Sequence, residues 1–141
     1  MEQHTPCLRR RTLLSAAGLV GASATVLSAC GGAGAPSVSG TAGADGSVRY
    51  ALGDLEVGAS AYDSRERIIL SRPEEGTVVA FDATCPHQGC AVSEVADGAL
   101  VCPCHDSSFD AATGAPLAGP AVTGLTVLSS TLEGEEIVVR G

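Results

Sequence analysis

The sequence predicts an all-β protein, a small antiparallel sandwich or barrel. From residue 48 to the C-terminus, the chain consists of short β-branched or alternating segments separated by turn signals. No part of this region shows a convincing helical period. The 141 residues include two Phe, two Tyr and no Trp, so the core is expected to contain few large side chains. Such a small core is expected to need cross-links or a bound group for stability.

The predicted strands pair around three turn signals. Asp97-Gly98 is a strong two-residue hairpin signal, and residues 73–76 and 133–135 are further turns rich in Glu and Gly. The hairpin around Asp97-Gly98 separates two cysteine-rich runs in the sequence and returns them to one end of the fold. In chain order, the predicted strands are residues 48–52, 68–72, 77–81, 91–95, 99–101, 125–132 and 136–140.

Residues 1–29 predict an export signal. Arg9, Arg10 and Arg11 directly precede an apolar stretch at residues 13–29, and no charged residue follows until Asp45. This pattern resembles a twin-arginine signal peptide (Tat export), a route that carries folded proteins. An ordinary secretory signal is the alternative.

A lipid anchor is predicted at Cys30. The sequence Leu-Ser-Ala-Cys that ends at this residue resembles the lipobox of a bacterial lipoprotein, in which the cysteine is lipidated after cleavage. Residues 30–47 are then a lipidated cysteine and a flexible Gly/Ala/Ser tether, followed by a folded domain at residues 48–141. A free cysteine and a retained N-terminal transmembrane anchor are the alternatives. The predicted location is the outer face of the bacterial cytoplasmic membrane.

Two short runs of the sequence carry a set of metal-binding side chains. Residues 85–90 read Cys-Pro-His-Gln-Gly-Cys and residues 102–107 read Cys-Pro-Cys-His-Asp-Ser. In each run an imidazole follows a cysteine by two or three positions. A single Zn²⁺ would take two thiolates and two imidazoles together, whereas a [2Fe-2S] cluster would place both thiolates on one iron and both imidazoles on the other. Because both runs mix Cys and His, the pattern favours the cluster.

These runs closely resemble the motifs of the Rieske iron-sulfur family, Cys-x-His-x-x-Cys followed by Cys-x-Cys-His-x-Ser. The resemblance extends roughly from residue 48 to the C-terminus and rests on six residues in fixed order. It implies that Cys85 and Cys102 hold the buried iron and that His87 and His105 hold the exposed iron. It also implies a Rieske-like fold in which the cluster-binding loops lie at one tip.

The resemblance assigns roles to residues around the ligands as well. It implies a disulfide between Cys90 and Cys104, the remaining cysteines of the two runs. Ser107 matches the family serine whose hydroxyl donates to a bridging sulfide; a plain turn serine is the alternative reading. Residues 114–121 resemble the proline-containing loop that covers a third side of the cluster, or they form only a surface turn.

Two positions depart from the family members that oxidise quinol. Those members usually have a tyrosine at the position of Phe109, and its hydroxyl donates to a ligand sulfur. Phenylalanine has no donor, so a lower reduction potential is expected. Gln88 stands where those members have an apolar residue, which argues against docking into a quinol pocket.

The resemblance implies one-electron transport, and three functions remain open. The favoured one is a carrier or small subunit of an exported oxidoreductase. The second is the iron-sulfur subunit of a cytochrome bc complex, which passes electrons from quinol to cytochrome c. The third is a zinc-binding module without redox chemistry. No nucleophile or general base is visible, so the chain is not expected to be an enzyme on its own.

The charge of the chain limits its partners. After residue 30 it carries five arginines, no lysine and fifteen acidic residues, a formal charge of about −10. This acidity excludes nucleic acid as an expected partner. It favours a basic or weakly charged redox protein, either a cytochrome or the large subunit of an exported oxidoreductase, with membrane contact through the lipid anchor. An acidic surface that only keeps the protein soluble explains the charge equally well.

Overall fold

The computed structural model describes residues 34–141, the part of the chain that contains every predicted strand. The predicted export signal and the lipidation site at Cys30 lie outside these residues. Within residues 34–141, no helix is long and apolar enough to cross a membrane. This part of the chain is built almost entirely from strands, which confirms the predicted all-β class.

The described residues form eleven strands and one 3-10 helix, Leu52–Asp54. The strands are β1 (Thr41–Ala42), β2 (Val48–Ala51), β3 (Ser60–Asp63), β4 (Ile68–Glu74), β5 (Thr77–Asp82), β6 (Glu94–Ala96), β7 (Ala99–Cys102), β8 (Ser107–Asp110), β9 (Pro116–Ala118), β10 (Val127–Glu133) and β11 (Glu136–Arg140). The larger sheet has the order β1-β2-β11-β10-β5-β4-β3 and the smaller sheet has the order β6-β7-β8-β9. All neighbouring strands are antiparallel, as predicted.

Four short strands, β1, β3, β8 and β9, are absent from the sequence-based prediction. In β8, the two fully buried residues are Ser107 and Phe109, so one of the inward positions is polar. In β3, Ser60 is buried and its hydroxyl lies 2.8 Å from that of Ser71. A buried polar residue that finds its partner only after folding leaves no trace in a hydrophobicity pattern.

Residues 34–47 differ from the flexible tether predicted for residues 30–47, because they are bound to the domain. Gly34 forms an antiparallel bridge with Glu94, and the Ala35 amide donates to the Ser93 carbonyl at 3.0 Å. Val38 is buried in the core and is 7% exposed. Backbone hydrogen bonds and one apolar side chain are enough to hold this segment, although its composition resembles a linker.

The core has two hydrophobic clusters. One lies around Tyr50, Leu70 and Ile137 of the larger sheet. The other contains residues of both sheets and includes Cys85 and Cys102, so these two predicted ligands belong to the core. Its buried members are Ile69, Phe81, Ala83, Cys85, Val92, Leu100, Cys102, Phe109, Ala121 and Leu125.

Asp63 is a buried carboxylate that fastens residues 34–47 and the β3–β4 turn to the larger sheet. It is 1% exposed and accepts backbone amides from Gly40 at 2.9 Å, Arg65 at 2.9 Å and Glu66 at 3.3 Å. Burial alone would raise the pKa of Asp63, but the three amides together hold that pKa below its usual value.

The change Asp63→Asn is expected to lower the free energy of unfolding by about 1–3 kcal/mol, because a neutral amide replaces the charged acceptor of three amides. The folded pKa of Asp63 is lowered, so its contribution is present above the usual Asp pKa and is lost as the pH falls through the folded pKa. Urea unfolding should therefore show its largest difference from the native sequence at about pH 7, and this difference should shrink progressively as the pH falls below about 4.

Asp110→Asn is the matched control. Asp110 also accepts two backbone amides and a hydroxyl, but in an exposed turn formed with Ala112 and Thr113. Its replacement should lower the free energy of unfolding by less than about 1 kcal/mol. Equal losses for the two variants at neutral pH would contradict the special role of the buried carboxylate.

Candidate metal centre

The first ligand loop, residues 85–90, is closed by its own backbone. The Cys85 amide donates to the Cys90 carbonyl at 2.8 Å, and the Gly89 amide donates to the Cys85 carbonyl at 2.8 Å. Gly89 has φ +79°, in the left-handed region that favours glycine. An isolated antiparallel bridge between Thr84 and Ala91 closes the base of the loop. The loop is therefore a compact hairpin that presents its side chains from a fixed backbone.

The second ligand loop, residues 102–107, connects β7 to β8. Cys102 and Ser107 are directly opposite in the antiparallel register. The Asp106 amide donates to the Cys102 carbonyl at 3.0 Å, and Asp106 has φ +57°. Aspartate tolerates this left-handed conformation better than most residues. The tight connection fixes both ends of the loop against the smaller sheet.

Cys85 and Cys102, the two cysteines of residues 34–141 that are not in the disulfide, lie in the same buried cluster. Cys85 is 2% exposed and Cys102 is 1% exposed. Burial raises the pKa of the Cys102 thiol, and the neighbouring Cys85 thiol raises this pKa further. The backbone amides of Cys104 and His105 point at the Cys102 sulfur and act in the opposite direction. The amides are thus placed to stabilise a thiolate once a metal has displaced the proton.

The two imidazoles lie side by side nearer to solvent. The ring centroids of His87 and His105 are 4.8 Å apart, and the rings meet edge to face with an interplanar angle of 87°. His87 is half-buried and His105 is exposed. The four predicted ligands thus fall into a buried pair of cysteines and a more exposed pair of neighbouring imidazoles.

A disulfide joins Cys90 of the first loop to Cys104 of the second loop, as the resemblance implied. The Cys102 sulfur lies within 4.8 Å of both disulfide sulfurs. Because Cys90 and Cys104 are bonded to each other, they are not available as metal ligands. The bridge fixes the distance between the two loops.

The donor set fits a [2Fe-2S] cluster better than a zinc ion. A structural Zn²⁺ needs four donors that converge on one point, each at about 2.0–2.3 Å from the ion. Within residues 34–141, the sulfurs of Cys90, Cys102 and Cys104 are the only His, Cys, Asp or Glu donors brought together in a group of three or more. The predicted ligands instead form two separate pairs of different chemistry, which matches a cluster with one iron bound by sulfur and one by nitrogen.

Two buried residues of β8 lie on the same face of the smaller sheet as Cys102. Ser107 and Phe109 are both fully buried, and they face Cys102 and Leu100 across the β7–β8 ladder. Side chains that are directly opposite in a ladder point to the same face of the sheet. The Ser107 hydroxyl and the Phe109 ring therefore share a face with the Cys102 sulfur. Gln88 is exposed on the first loop.

Phe109→Tyr is expected to raise the midpoint potential, because a phenolic hydroxyl beside the ligand sulfurs would stabilise the reduced state. One added hydrogen bond gives a shift on the order of tens of millivolts for a one-electron couple. Redox titration of the purified protein measures the shift. Phe81→Tyr, in an equally buried ring of the same cluster, is the control and should change the potential less. If the midpoint potential of Phe109→Tyr is unchanged, the missing hydroxyl at position 109 does not lower the potential of this protein.

Arg67 is a site residue that was not predicted. Its guanidinium donates to the Thr84 hydroxyl at 3.4 Å and to the Gly89 carbonyl at 3.3 Å, one on each side of the first loop. Arg67 has φ +56°, and its own carbonyl accepts the Ala83 amide. A charged turn at residues 65–67 gives no sequence signal of such a contact, since surface turns are usually charged.

Comparison with known proteins gives one family and several relatives. A family model described as the Rieske [2Fe-2S] domain matches residues 52–129, more than half of the chain. A putative respiratory nitrate reductase subunit Rieske from Haloferax mediterranei is 41% identical over 61 residues, which are 43% of this chain and 28% of that protein. The cytochrome bc1 complex Rieske iron-sulfur subunit of Corynebacterium efficiens is 36% identical over 81 residues, with 52% of this chain and 20% of that protein covered.

A solved structure is also similar. The cyanobacterial plasma membrane Rieske protein PetC3 from Synechocystis PCC 6803 superposes with a TM-score of 0.50 and 29% identity, over 70% of this chain and 89% of that one. The chain spans less than a third of the length of the two relatives matched by sequence.

Proposed function

The chain belongs to the Rieske [2Fe-2S] family, and we propose that it transfers single electrons at the outer face of the bacterial cytoplasmic membrane. In this proposal it is a lipid-anchored carrier or the small electron-transfer subunit of an exported oxidoreductase. The observation that carries the proposal is the separation of a buried thiol pair from a solvent-accessible imidazole pair at one end of the domain.

We assign Cys85 and Cys102 to one iron and His87 and His105 to the other. When bound, the [2Fe-2S] cluster supplies a one-electron redox centre, for which centres with two His ligands span about −150 to +300 mV. The buried cysteines exclude water from their side of the site. His105 is exposed, so its imidazole lies on the side of the site that a redox partner can approach.

The proposed location rests on the sequence of the first thirty residues and on the similarity to a plasma membrane protein. Residues 1–29 are assigned as a twin-arginine signal peptide and Cys30 as the lipidated residue. A redox protein is the proposed partner, since relatives of this chain are subunits of respiratory complexes. The acidic charge favours a partner with a basic or neutral docking surface.

A second candidate function is that of the iron-sulfur subunit of a cytochrome bc complex. The similarity to the Corynebacterium subunit over 81 residues favours it. The absence of a hydroxyl at Phe109 and the polar Gln88 on the exposed loop favour the first candidate.

Detergent extraction of the native membrane followed by affinity purification separates the two candidates. Recovery with an exported oxidoreductase or a soluble cytochrome supports the proposal, and stoichiometric recovery with a cytochrome b supports the bc complex. Mass spectrometry of the mature N-terminus tests the anchor, because Cys30 should carry lipid. A chain that stays in the cytoplasm with its signal intact would contradict the proposed location.

A further inference from the structure

One residue outside the two ligand loops contacts the first loop on both of its sides. A single guanidinium nitrogen of Arg67, Nη2, donates to the Thr84 hydroxyl at 3.4 Å and to the Gly89 carbonyl at 3.3 Å. Thr84 directly precedes Cys85, and Gly89 lies two residues after His87. The two contacts therefore enclose the part of the loop that contains two of the proposed ligands.

The backbone of Arg67 contacts the same region of the chain. Its φ is +56°, in the left-handed region, and its carbonyl accepts the Ala83 amide at 2.8 Å. A residue with a Cβ rarely adopts this conformation, because the Cβ crowds a carbonyl oxygen. Strained residues of this kind are concentrated at functional sites. At Arg67 the conformation lets one residue hold the loop with both its carbonyl and its guanidinium.

The turn that carries Arg67 is itself fixed on both sides. The buried carboxylate of Asp63 accepts the Arg65 amide at 2.9 Å and the Glu66 amide at 3.3 Å. Ile68, the residue directly after Arg67, is 7% exposed and packs in the core of the larger sheet. The guanidinium therefore projects toward the loop from a backbone that cannot easily move away.

The side chain also brings a positive charge to the loop. Both of its acceptors are neutral, and Arg67 forms no ion pair with an acidic residue within residues 34–141. The reduced form of a one-electron centre carries one more negative charge than the oxidised form. A nearby positive charge stabilises the more negative form, so a charge at this position favours reduction.

We infer that Arg67 is a positioning residue for the metal centre, which holds the first ligand loop between Thr84 and Gly89 and raises the midpoint potential through its charge. This inference rests on the proposed cluster. It does not depend on the proposed membrane location or on any partner.

Arg67→Gly in the full-length protein tests the inference. Glycine adopts a positive φ without strain, which offsets the lost contacts, so the free energy of unfolding should change little. Release of the cluster to a chelator should be about threefold faster. The equilibrium constant for reduction should fall about threefold, roughly 28 mV for a one-electron couple at 59 mV per tenfold. Hydrogen exchange, followed by mass spectrometry, should become faster at residues 83–91 and should be unchanged in β10 and β11.

Two other glycine variants are matched controls. Arg65→Gly removes an equal charge from the same turn, but the Arg65 guanidinium forms no hydrogen bond or ion pair within residues 34–141. Asp97→Gly removes the same kind of strain, since Asp97 has φ +51° in the β6–β7 turn. Both controls should keep the native rate of cluster release and the native hydrogen exchange of residues 83–91.

Arg67→Lys separates the charge from the two-sided contact. An ammonium keeps the charge but is a compact donor without the guanidinium fork, so most of the midpoint potential should be restored and the release rate only in part. This variant also provides the comparison if Arg67→Gly takes up no cluster.

The inference is overturned if Arg67→Gly matches Arg65→Gly in either the release rate or the midpoint potential. It is equally overturned if the free energy of unfolding of Arg67→Gly falls in parallel with cluster release, because the residue then acts only on overall stability. Failure of the proposed function is distinguishable. An unsubstituted protein without a redox-active cluster contradicts that function, whereas hydrogen exchange at residues 83–91 still shows whether Arg67 holds the loop.

Discussion

Cys102→Ser is expected to yield a folded chain that has lost nearly all of its bound iron. Cys102 is the last residue of β7 and is 1% exposed, in the same buried cluster as Cys85. A serine hydroxyl is a far poorer ligand than a thiolate, and the two sulfurs nearby, those of Cys90 and Cys104, are bonded to each other. Iron analysis and visible absorption of the purified variant measure the loss.

The same measurement on a second cysteine provides the control. Cys30→Ser removes a cysteine that is not assigned as a ligand, so the variant should keep its full iron content and colour. Retention of iron in Cys102→Ser, or equal loss in both variants, would contradict the ligand assignment. Far-UV circular dichroism shows whether the β-sheet signal of each variant is preserved.

Removal of the disulfide is expected to have the second largest effect. The double change Cys90→Ser and Cys104→Ser opens a cross-link with a sequence separation of 14. For a closed loop of about 15 residues, the chain-entropy model gives a loss of roughly 3 kcal/mol. Since the bridge joins the two ligand loops, the cluster should be released at a lower temperature or denaturant concentration than in the native sequence.

Both effects can be measured while the protein is heated. Loss of visible absorption reports release of the cluster, and circular dichroism reports unfolding of the chain. Reduction of the native protein with dithiothreitol should reproduce the behaviour of the double variant, because it breaks the same bond. If the cluster is released at the same temperature with and without the bridge, the disulfide does not stabilise the site.

The metal centre was largely predictable because its chemistry is local in sequence. Two runs of six residues contain all four proposed ligands and both bridged cysteines. The hairpin that returns one run to the other was visible as Asp97-Gly98, and both residues have positive φ in the structure. The last strand, Glu136–Arg140, whose three central β-branched residues are all buried, was also found with its observed bounds.

The contacts that support the centre were not predictable because they join distant segments of the chain. Arg67 reaches Gly89 across 22 positions of sequence, and the Ala121 amide reaches Ser107 across 14. Residues 34–38 look like a linker in composition, yet their backbone bonds to Ser93 and Tyr62. Hydrogen bonds made by backbone groups carry no side-chain signal, so only the fold shows them.

The most direct test of the metal centre is the metal and sulfide content of the purified full-length protein, with magnetic resonance of its oxidised and reduced forms. One [2Fe-2S] cluster per chain predicts iron and inorganic sulfide in equal amounts, and a centre that becomes paramagnetic when it takes up one electron. Bound zinc without sulfide, or iron that shows no change on reduction, would contradict the assignment of Cys85, Cys102, His87 and His105 as its ligands.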